Sequence, residues 1–162
     1  MLLWFVGCAL VLVWVVFHDP AVDHRVLALG AVLPDLVDAP FGGARVAHTL
    51  VAGAGLLAVV MVATRGRRAA RRRWLFLPIG LLIHLAVDDV WERPELFLWP
   101  FLGSFPPGGL PSFDQSVTLT VLKELAGAAA IGWFVWRFGL LADPAARHAF
   151  LRTGRLRRDR VG

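Results

Sequence analysis

The sequence predicts an all-α membrane protein, a polytopic helical bundle with about four transmembrane helices plus a short helix around residues 22–40. The first observation is composition: 57% of the 162 residues are hydrophobic and the mean hydropathy is +0.65. That balance suits a bilayer better than it suits a basic soluble domain. The second is segment length, because a hydrocarbon core about 30 Å thick needs roughly 17 or more apolar residues. Four segments qualify, namely 1–17, 46–64, 74–91 and 116–138.

The third observation is the placement of the arginines, which predicts orientation. Thirteen of the 17 basic residues lie in two clusters, at 65–73 and 137–160. Cytoplasmic loops carry such an excess, whereas the intervening segments 18–45 and 92–115 hold only Arg25, Arg45 and Arg93. We therefore expect a multi-pass protein of the cell (inner or plasma) membrane with both termini in the cytoplasm.

This layout divides the chain into a single helical membrane domain, 1–145, and a basic cytoplasmic tail, 146–162. Anchoring on the cytoplasmic side, in contact with membrane lipid, explains the tail better than nucleic-acid binding does. The first segment lacks a basic start and a clear cleavage site before His18, so it is predicted to be a retained anchor. The loop 100–113, rich in Pro, Gly and Phe, is either a lid or a simple connection.

Acidic residues and histidines concentrate in the predicted outer half of the bundle, which indicates an outward-facing polar pocket. On this topology nine of the 12 acidic residues and four of the five histidines lie there. His84 and Asp88 are four residues apart and project from one helix face. This spacing suits two ligands of one metal ion, although a histidine bonded to a nearby carboxylate is the commoner outcome.

Four further candidates come from the segments before and within the second span. Pro34 can open a helix, and Asp35 and Asp38 then share one face in its first turns. His48 begins the second span, followed by small residues that let another helix approach. His24 would lie about 16 Å from Asp35 on an unbroken helix, so it is a ligand only if the chain folds back between them.

Glu124 and Asp89 are the candidate catalytic carboxylates. Antiparallel packing of the spans places Glu124 level with His84, although Glu124 could instead pair with Lys123 or be protonated. Asp89 is rotated about 140° from His84 on its helix, which favours Glu124 as the general base.

The segments DHRVLALGAVLPDLVD, RVAHTL and HLAVDD together resemble the membrane-bound metal-dependent hydrolase-like family, whose bacterial example is an inner-membrane protein under LexA control. The resemblance covers residues 22–102, including an LWPF turn. It departs from the family in reading PDLVD for PDID and AHT for THS. The family is remotely similar to zinc-dependent phospholipase C and P1 nuclease, which implies a phosphoester substrate. The ligands that it implies are His24, Asp35, Asp38, His48, His84 and Asp88.

The sequence thus predicts an integral membrane metal-dependent hydrolase acting on a phosphoester or lipid-linked substrate. Imidazole and carboxylate donors without thiolate suit zinc best and also admit manganese or iron. The alternative is a non-enzymatic membrane protein, such as a small transporter or proton relay, that uses the same polar cluster. Polar residues reaching both faces would favour transport, and the inner halves of the predicted spans are apolar.

Overall fold

The computed structural model describes residues 1–103, 105 and 116–157, and every regular element within them is helical. The all-α part of the predicted fold is therefore confirmed. Short 3-10 turns connect several of the helices. The helices are α1 (Leu2–Phe17), α2 (His24–Asp38), α3 (Leu50–Ala63), α4 (Arg68–Trp74), α5 (Phe76–Val87), α6 (Pro94–Phe97), α7 (Val117–Arg137) and α8 (Pro144–Thr153).

The predicted bundle of four transmembrane helices is wrong. Among the described residues, only α7 is long and apolar enough to cross a membrane. Helices α1, α3 and α5 have 16, 14 and 12 residues, or about 18 to 24 Å at 1.5 Å per residue. That length falls short of a core about 30 Å thick. The segments 46–64 and 74–91 are longer than α3 and α5 because Thr49 caps α3 and Asp89, with φ of 58°, follows the end of α5.

The predicted orientation fails because α2 is a full member of the bundle. It has 15 residues, and the loop before it meets the first arginine cluster: Arg72 lies 2.7 Å from Asp19 and Arg73 lies 3.0 Å from Asp23. Residues 18–23 were expected on the opposite side. The indole of Trp4 donates to the carbonyl of Val87, at the far end of α5 from that cluster. The N-terminus and the arginine cluster therefore do not share one end.

Glycines set the closest helix contacts. A methyl group added at Gly80 would meet the carbonyl of Leu27 and lie 2.8 Å from the nitrogen of Ala31, so α2 and α5 touch through their backbones. A methyl group at Gly7 would lie 2.6 Å from the carbonyl of Gly127, and α1 and α7 touch in the same way. The first of these contacts positions the candidate site.

The described part of the predicted tail packs on the bundle. The amide of His24 donates to the carbonyl of Gly154, and the amide of Leu156 donates to that of Pro20. Leu156 is buried in the core that contains Phe5, Leu27 and Phe134. The division into 1–145 and 146–162 stays a prediction. Residues 158–162 and most of the candidate lid at 100–113 lie outside the described residues.

Candidate metal centre

Two helices, α2 and α5, and one turn bring the site residues to one end of the bundle. Asp35 and Asp38 lie near the C-terminus of α2, because this helix begins at His24, capped by Asp23, and continues through Pro34. The expectation that Pro34 opens the helix was wrong. His48 ends the 3-10 turn that precedes α3. His84 lies in the last turn of α5, and Asp88 directly follows that helix.

Asp35, His48 and His84 each direct one donor atom toward a common point. The Nε2 atoms of the two histidines are 3.4 Å apart. The Oδ1 atom of Asp35 lies 3.4 Å from Nε2 of His48 and 3.8 Å from Nε2 of His84. Two ligands about 2.05 Å from a tetrahedral zinc ion are themselves about 3.3 Å apart. The three donors therefore have the separation that a small divalent cation requires.

The other ring nitrogen of each histidine is fixed by an acceptor. Nδ1 of His84 lies 2.7 Å from the carbonyl oxygen of Ala31, and Nδ1 of His48 lies 2.8 Å from Oδ2 of Asp38. A carbonyl and a carboxylate only accept, so each Nδ1 carries the proton. In the neutral rings, both Nε2 lone pairs then face the centre. Such carboxylate and carbonyl partners orient histidine ligands in metal sites.

Asp38 consequently takes a different position from the one expected of a ligand. Its carboxylate also accepts from the amides of Arg45 and Ala47, which fixes the turn that carries His48. It is 1% exposed. In this geometry Asp38 orients His48 rather than sharing the three-donor point.

Asp88 supplies a third carboxylate beside the centre. Its Oδ2 lies 3.9 Å from Nε2 of His48, and the residue is fully buried. Neither carboxylate oxygen has a hydrogen-bond partner among the described residues. A buried polar group without a partner is costly, so this carboxylate indicates a ligand, a cation or a proton at the site.

Burial and the neighbouring charges shift the pKa values of His48, His84 and Asp88, which all lie outside α7. Burial lowers the pKa of His48, but bonds to Asp35 and Asp38 outweigh it and raise the pKa to about 9. Burial lowers the pKa of His84 to about 4, against the attraction of Asp35. Burial raises the pKa of Asp88 to about 7, opposed by the charge of His48. The centre thus contains one imidazole that is neutral at pH 7, His84, and another, His48, that holds a proton beside Asp35 and Asp38.

Comparison with known proteins gives no relative: no protein-family model, curated protein or solved structure matches this chain. The resemblance drawn from the motifs around Asp35, His48 and His84 therefore stays a prediction. The geometry of the site has to support any functional conclusion by itself.

His24 lies away from the three-donor cluster. Because α2 is unbroken, His24 and Asp35 stay at opposite ends of it. Nδ1 of His24 lies 3.0 Å from the carbonyl of Gly154, and its ring packs between Phe134 and Phe150. The fold-back that would have made His24 a ligand does not occur.

The two carboxylates expected to be catalytic have other contacts. Lys123 donates to Asp89 at 2.9 Å, and the left-handed backbone of Asp89 marks the end of α5. Glu124 accepts from the amide of Leu3 and lies 3.7 Å from the amine of Met1. The structure thus groups neither of them with Asp35, His48 and His84.

Sequence reasoning missed three groups that shape the centre. The carbonyl of Ala31 orients His84, the ring of Phe5 lies 3.9 Å from the imidazole of His84, and Gly80 permits the approach of α2. The glycines at positions 30 and 80, each in an apolar helix, were the signal for this close crossing. A backbone carbonyl as an orienting group leaves no signal in the sequence.

Proposed function

We propose that this protein is a metal-dependent hydrolase whose centre is formed by Asp35, His48 and His84. The convergence of His48 Nε2, His84 Nε2 and Asp35 Oδ1 within 3.8 Å carries the proposal. Three such atoms repel one another without a positive charge between them. Asp38 and the carbonyl of Ala31 hold the two imidazoles with their lone pairs inward.

Two nitrogen donors and one oxygen donor favour zinc, with manganese or iron as further possibilities. Three protein ligands leave one position for water, as in catalytic rather than structural zinc sites. When bound, the ion would polarise a substrate oxygen and lower the pKa of its water. Asp35 is 24% exposed at its side chain, whereas both histidines are buried, so substrate approaches from the side of Asp35.

Asp88 is the general base in this proposal. Its two oxygens are buried, lack hydrogen-bond partners among the described residues and lie beside His48. A carboxylate in that position can accept the proton of an attacking water. This role replaces the one expected for Glu124 or Asp89, both of which have contacts elsewhere.

The substrate class proposed is a phosphoester, carried by a lipid at the membrane. The motif resemblance supports a phosphoester, and the exposed apolar surface supports a lipid. On that surface, α7 exposes Val117 and Leu125, and α3 exposes Val59 and Val62. With α7 as the span, Arg137 at its C-terminal end faces the cytoplasm under the positive-inside rule. The metal centre lies toward the other end of α7, where Lys123 pairs with Asp89, and faces outward.

Metal content tests the centre. The purified chain should bind one zinc ion per molecule or more, measured by elemental analysis after dialysis against trace metal. His84→Ala and Asp35→Ala should each lower the bound zinc at least tenfold. His148→Ala, an exposed histidine on α8, is the matched control and should keep the wild-type content. Equal content in all four proteins contradicts the proposal.

Hydrolysis tests the reaction separately. The zinc-loaded chain should cleave bis(p-nitrophenyl) phosphate or a short-chain phospholipid, with release of nitrophenol or headgroup. Asp88→Asn should keep its zinc and lose activity by about a hundredfold or more. If Asp88→Asn loses zinc instead, Asp88 is a ligand. If the wild-type protein binds zinc and cleaves neither substrate, the hydrolase proposal fails.

One geometric observation favours proton transfer as the second candidate function. Nε2 of His48 lies 3.4 Å from both His84 and Asp35, a separation over which a proton can be shared. A proton relay needs no metal, so wild-type protein without bound zinc that moves protons in sealed vesicles would favour it. Zinc binding that depends on His84 favours the hydrolase.

A further inference from the structure

A second polar site lies at the opposite end of α2 from the metal centre. It is a cavity of about 270 Å³ lined by residues from the start of α2, the end of α4 and the C-terminal part of α8. The lining consists of Asp23, Arg25, Arg73, Arg152, Thr153 and Arg155. These residues are far apart in sequence, so the fold itself assembles the site.

A buried carboxylate fixes two of these arginines. Asp23 is 3% exposed. Its Oδ1 accepts from Nε of Arg25 at 3.2 Å, and its Oδ2 accepts from Nε of Arg73 at 3.0 Å. The side chains of Arg25 and Arg73 remain 41% and 45% exposed. Solvent and solutes therefore meet the guanidinium groups before they meet the carboxylate.

The C-terminal segment closes the cavity from the other side. Arg25 donates to the carbonyls of Leu151 and Arg152 at the end of α8. Gly154 has φ of 72°, and a methyl group there would collide with the carboxylate of Asp23. This contact brings Arg152 and Arg155 next to Arg25 and Arg73. Four guanidinium charges against one carboxylate leave a net charge of about +3 at the site.

We propose that this cavity binds a phosphate group. Arginine recognises phosphate through two parallel N–H donors, and Asp23 holds two of the four guanidinium groups in place before a ligand arrives. Preorganised donors bind an anion at a lower entropic cost than mobile surface arginines do. The phosphate belongs either to the headgroup of an anionic lipid or to a free phosphate ion.

The phosphate site is separate from the metal centre. Asp23 and Asp35 are 12 residues apart on α2, about 18 Å along its axis. One phosphate cannot contact both places. Binding at this end is therefore independent of the proposed hydrolase, and each proposal can fail without the other.

Calorimetric titration of the full-length purified chain tests the site at fixed ionic strength. The two ligands are inorganic phosphate and dihexanoyl phosphatidylglycerol below its micellar concentration. The double variant Arg152→Gln/Arg155→Gln removes two guanidinium groups and leaves the ion pairs of Asp23 intact. The variant Arg65→Gln/Arg68→Gln is the matched control, because it removes the same charge from two exposed arginines outside the cavity.

Saturable binding of either ligand with a stoichiometry of one supports the proposal if two further conditions hold. The Arg152/Arg155 variant should weaken this binding about tenfold or more, and the Arg65/Arg68 variant should change it less than twofold. Binding of phosphatidylglycerol alone identifies a lipid headgroup, and equal binding of inorganic phosphate shows that the phosphate group suffices. Absence of saturable binding by both ligands overturns the proposal. Equal weakening in both double variants also overturns it, because binding would then follow overall charge.

Discussion

At the scale of single residues, His48 links the candidate centre to the loop that carries it. Its Nε2 faces Asp35 and His84, while its Nδ1 donates to Asp38. Asp38 also accepts from the amides of Arg45 and Ala47. The Asp38 carboxylate therefore fixes both the ring orientation of His48 and the backbone of the turn. A substitution of Asp38 tests its effect on metal binding while Asp35, His48 and His84 stay in place.

Asp38→Asn should weaken zinc binding about 10- to 100-fold, the usual effect of removing a partner behind a histidine ligand. The asparagine still offers an oxygen to the turn, but it accepts less strongly from His48. Competition against a chelator of known affinity measures the change. Asp89→Asn, which alters a partly exposed carboxylate paired with Lys123, is the control and should bind zinc like the wild type. Equal affinities in the two variants would contradict the assigned role of Asp38.

The residue types at the candidate centre were predictable from the sequence, and their partners were not. Histidines and aspartates in apolar helices are expensive unless they bind something, which singled out the residues His24, Asp35, Asp38, His48, His84 and Asp88. The separation of Asp38 from the ligands depends on the turn before α3, which no spacing rule encodes. His24 was misassigned because the sequence did not show that α2 continues through Pro34.

At the scale of helices, the contact between α2 and α5 sets the position of His84. The two backbones approach so closely that Nδ1 of His84 reaches the carbonyl of Ala31 at 2.7 Å. Gly30 and Gly80 make this approach possible, since a side chain on either would meet the opposite backbone. Separation of these helices should therefore lower stability and metal binding together.

Gly80→Ala should destabilise the fold by about 1–3 kcal/mol, because the added methyl group meets backbone atoms that cannot move aside alone. It should also weaken zinc binding by drawing His84 away from Ala31. Gly55→Ala on α3 is the matched control: no atom lies within 4 Å of its added methyl group, so helix propensity alone should stabilise it by up to about 1 kcal/mol. Denaturant unfolding and zinc titration measure both effects. A Gly80→Ala protein as stable as Gly55→Ala would refute this account of the contact.

The link between α2 and α8 predicts an acid-sensitive part of the stability. Burial alone would raise the pKa of Asp23, but the bond and charge of Arg25, with the charge of Arg73, lower it below the ordinary value of 3.8. A lowered pKa contributes stability above pH 3.8 that is lost as the pH falls through the folded value. The wild-type chain should therefore lose stability more steeply below pH 4 than Asp23→Asn does.

Asp23→Asn is a clean comparison because asparagine is also a good helix cap, so the change removes the charge and keeps the cap of α2. Urea unfolding at several pH values between 5 and 2 gives the two slopes. Trypsin cleavage after Arg152 should also be faster in the variant at neutral pH, since its α8 is held less firmly. Identical pH slopes would show that Asp23 has no such role.

The existence of helices and the lengths of α1 and α7 followed from the apolar segments, whereas the lengths of α3 and α5 did not. The stretch 46–64 contains a 3-10 turn and a Thr49 cap before α3 begins at Leu50. Hydropathy adds these residues to the helix because it does not detect capping. Averaged hydropathy also left α2 out of the predicted spans, since Asp35 and Asp38 lower its apolarity. The prediction that residues 18–23 and the first arginine cluster lie on opposite sides was therefore wrong.

At the scale of the whole molecule, the exposed apolar surface indicates what surrounds the bundle. Helix α7 passes the length test for a membrane span, and Val117, Val121 and Leu125, each one turn apart, are at least half exposed. A water-soluble domain rarely leaves such a stripe uncovered. Lipid acyl chains would cover it without a protein partner, in agreement with the proposed lipid-linked substrate.

The full-length chain should therefore stay with the membrane fraction after an alkaline carbonate wash. Leu125→Arg/Ala129→Arg should release a large part of it, because each arginine near the middle of a spanning helix costs about 2.5–3.5 kcal/mol. Ser116→Arg/Thr118→Arg adds the same charge at the end of α7, where an arginine reaches the interface, and should leave the chain in the membrane. Both substituted pairs lie at exposed positions, so neither disturbs the core. Release of the wild-type chain, or equal retention of both variants, would show that α7 does not contact lipid.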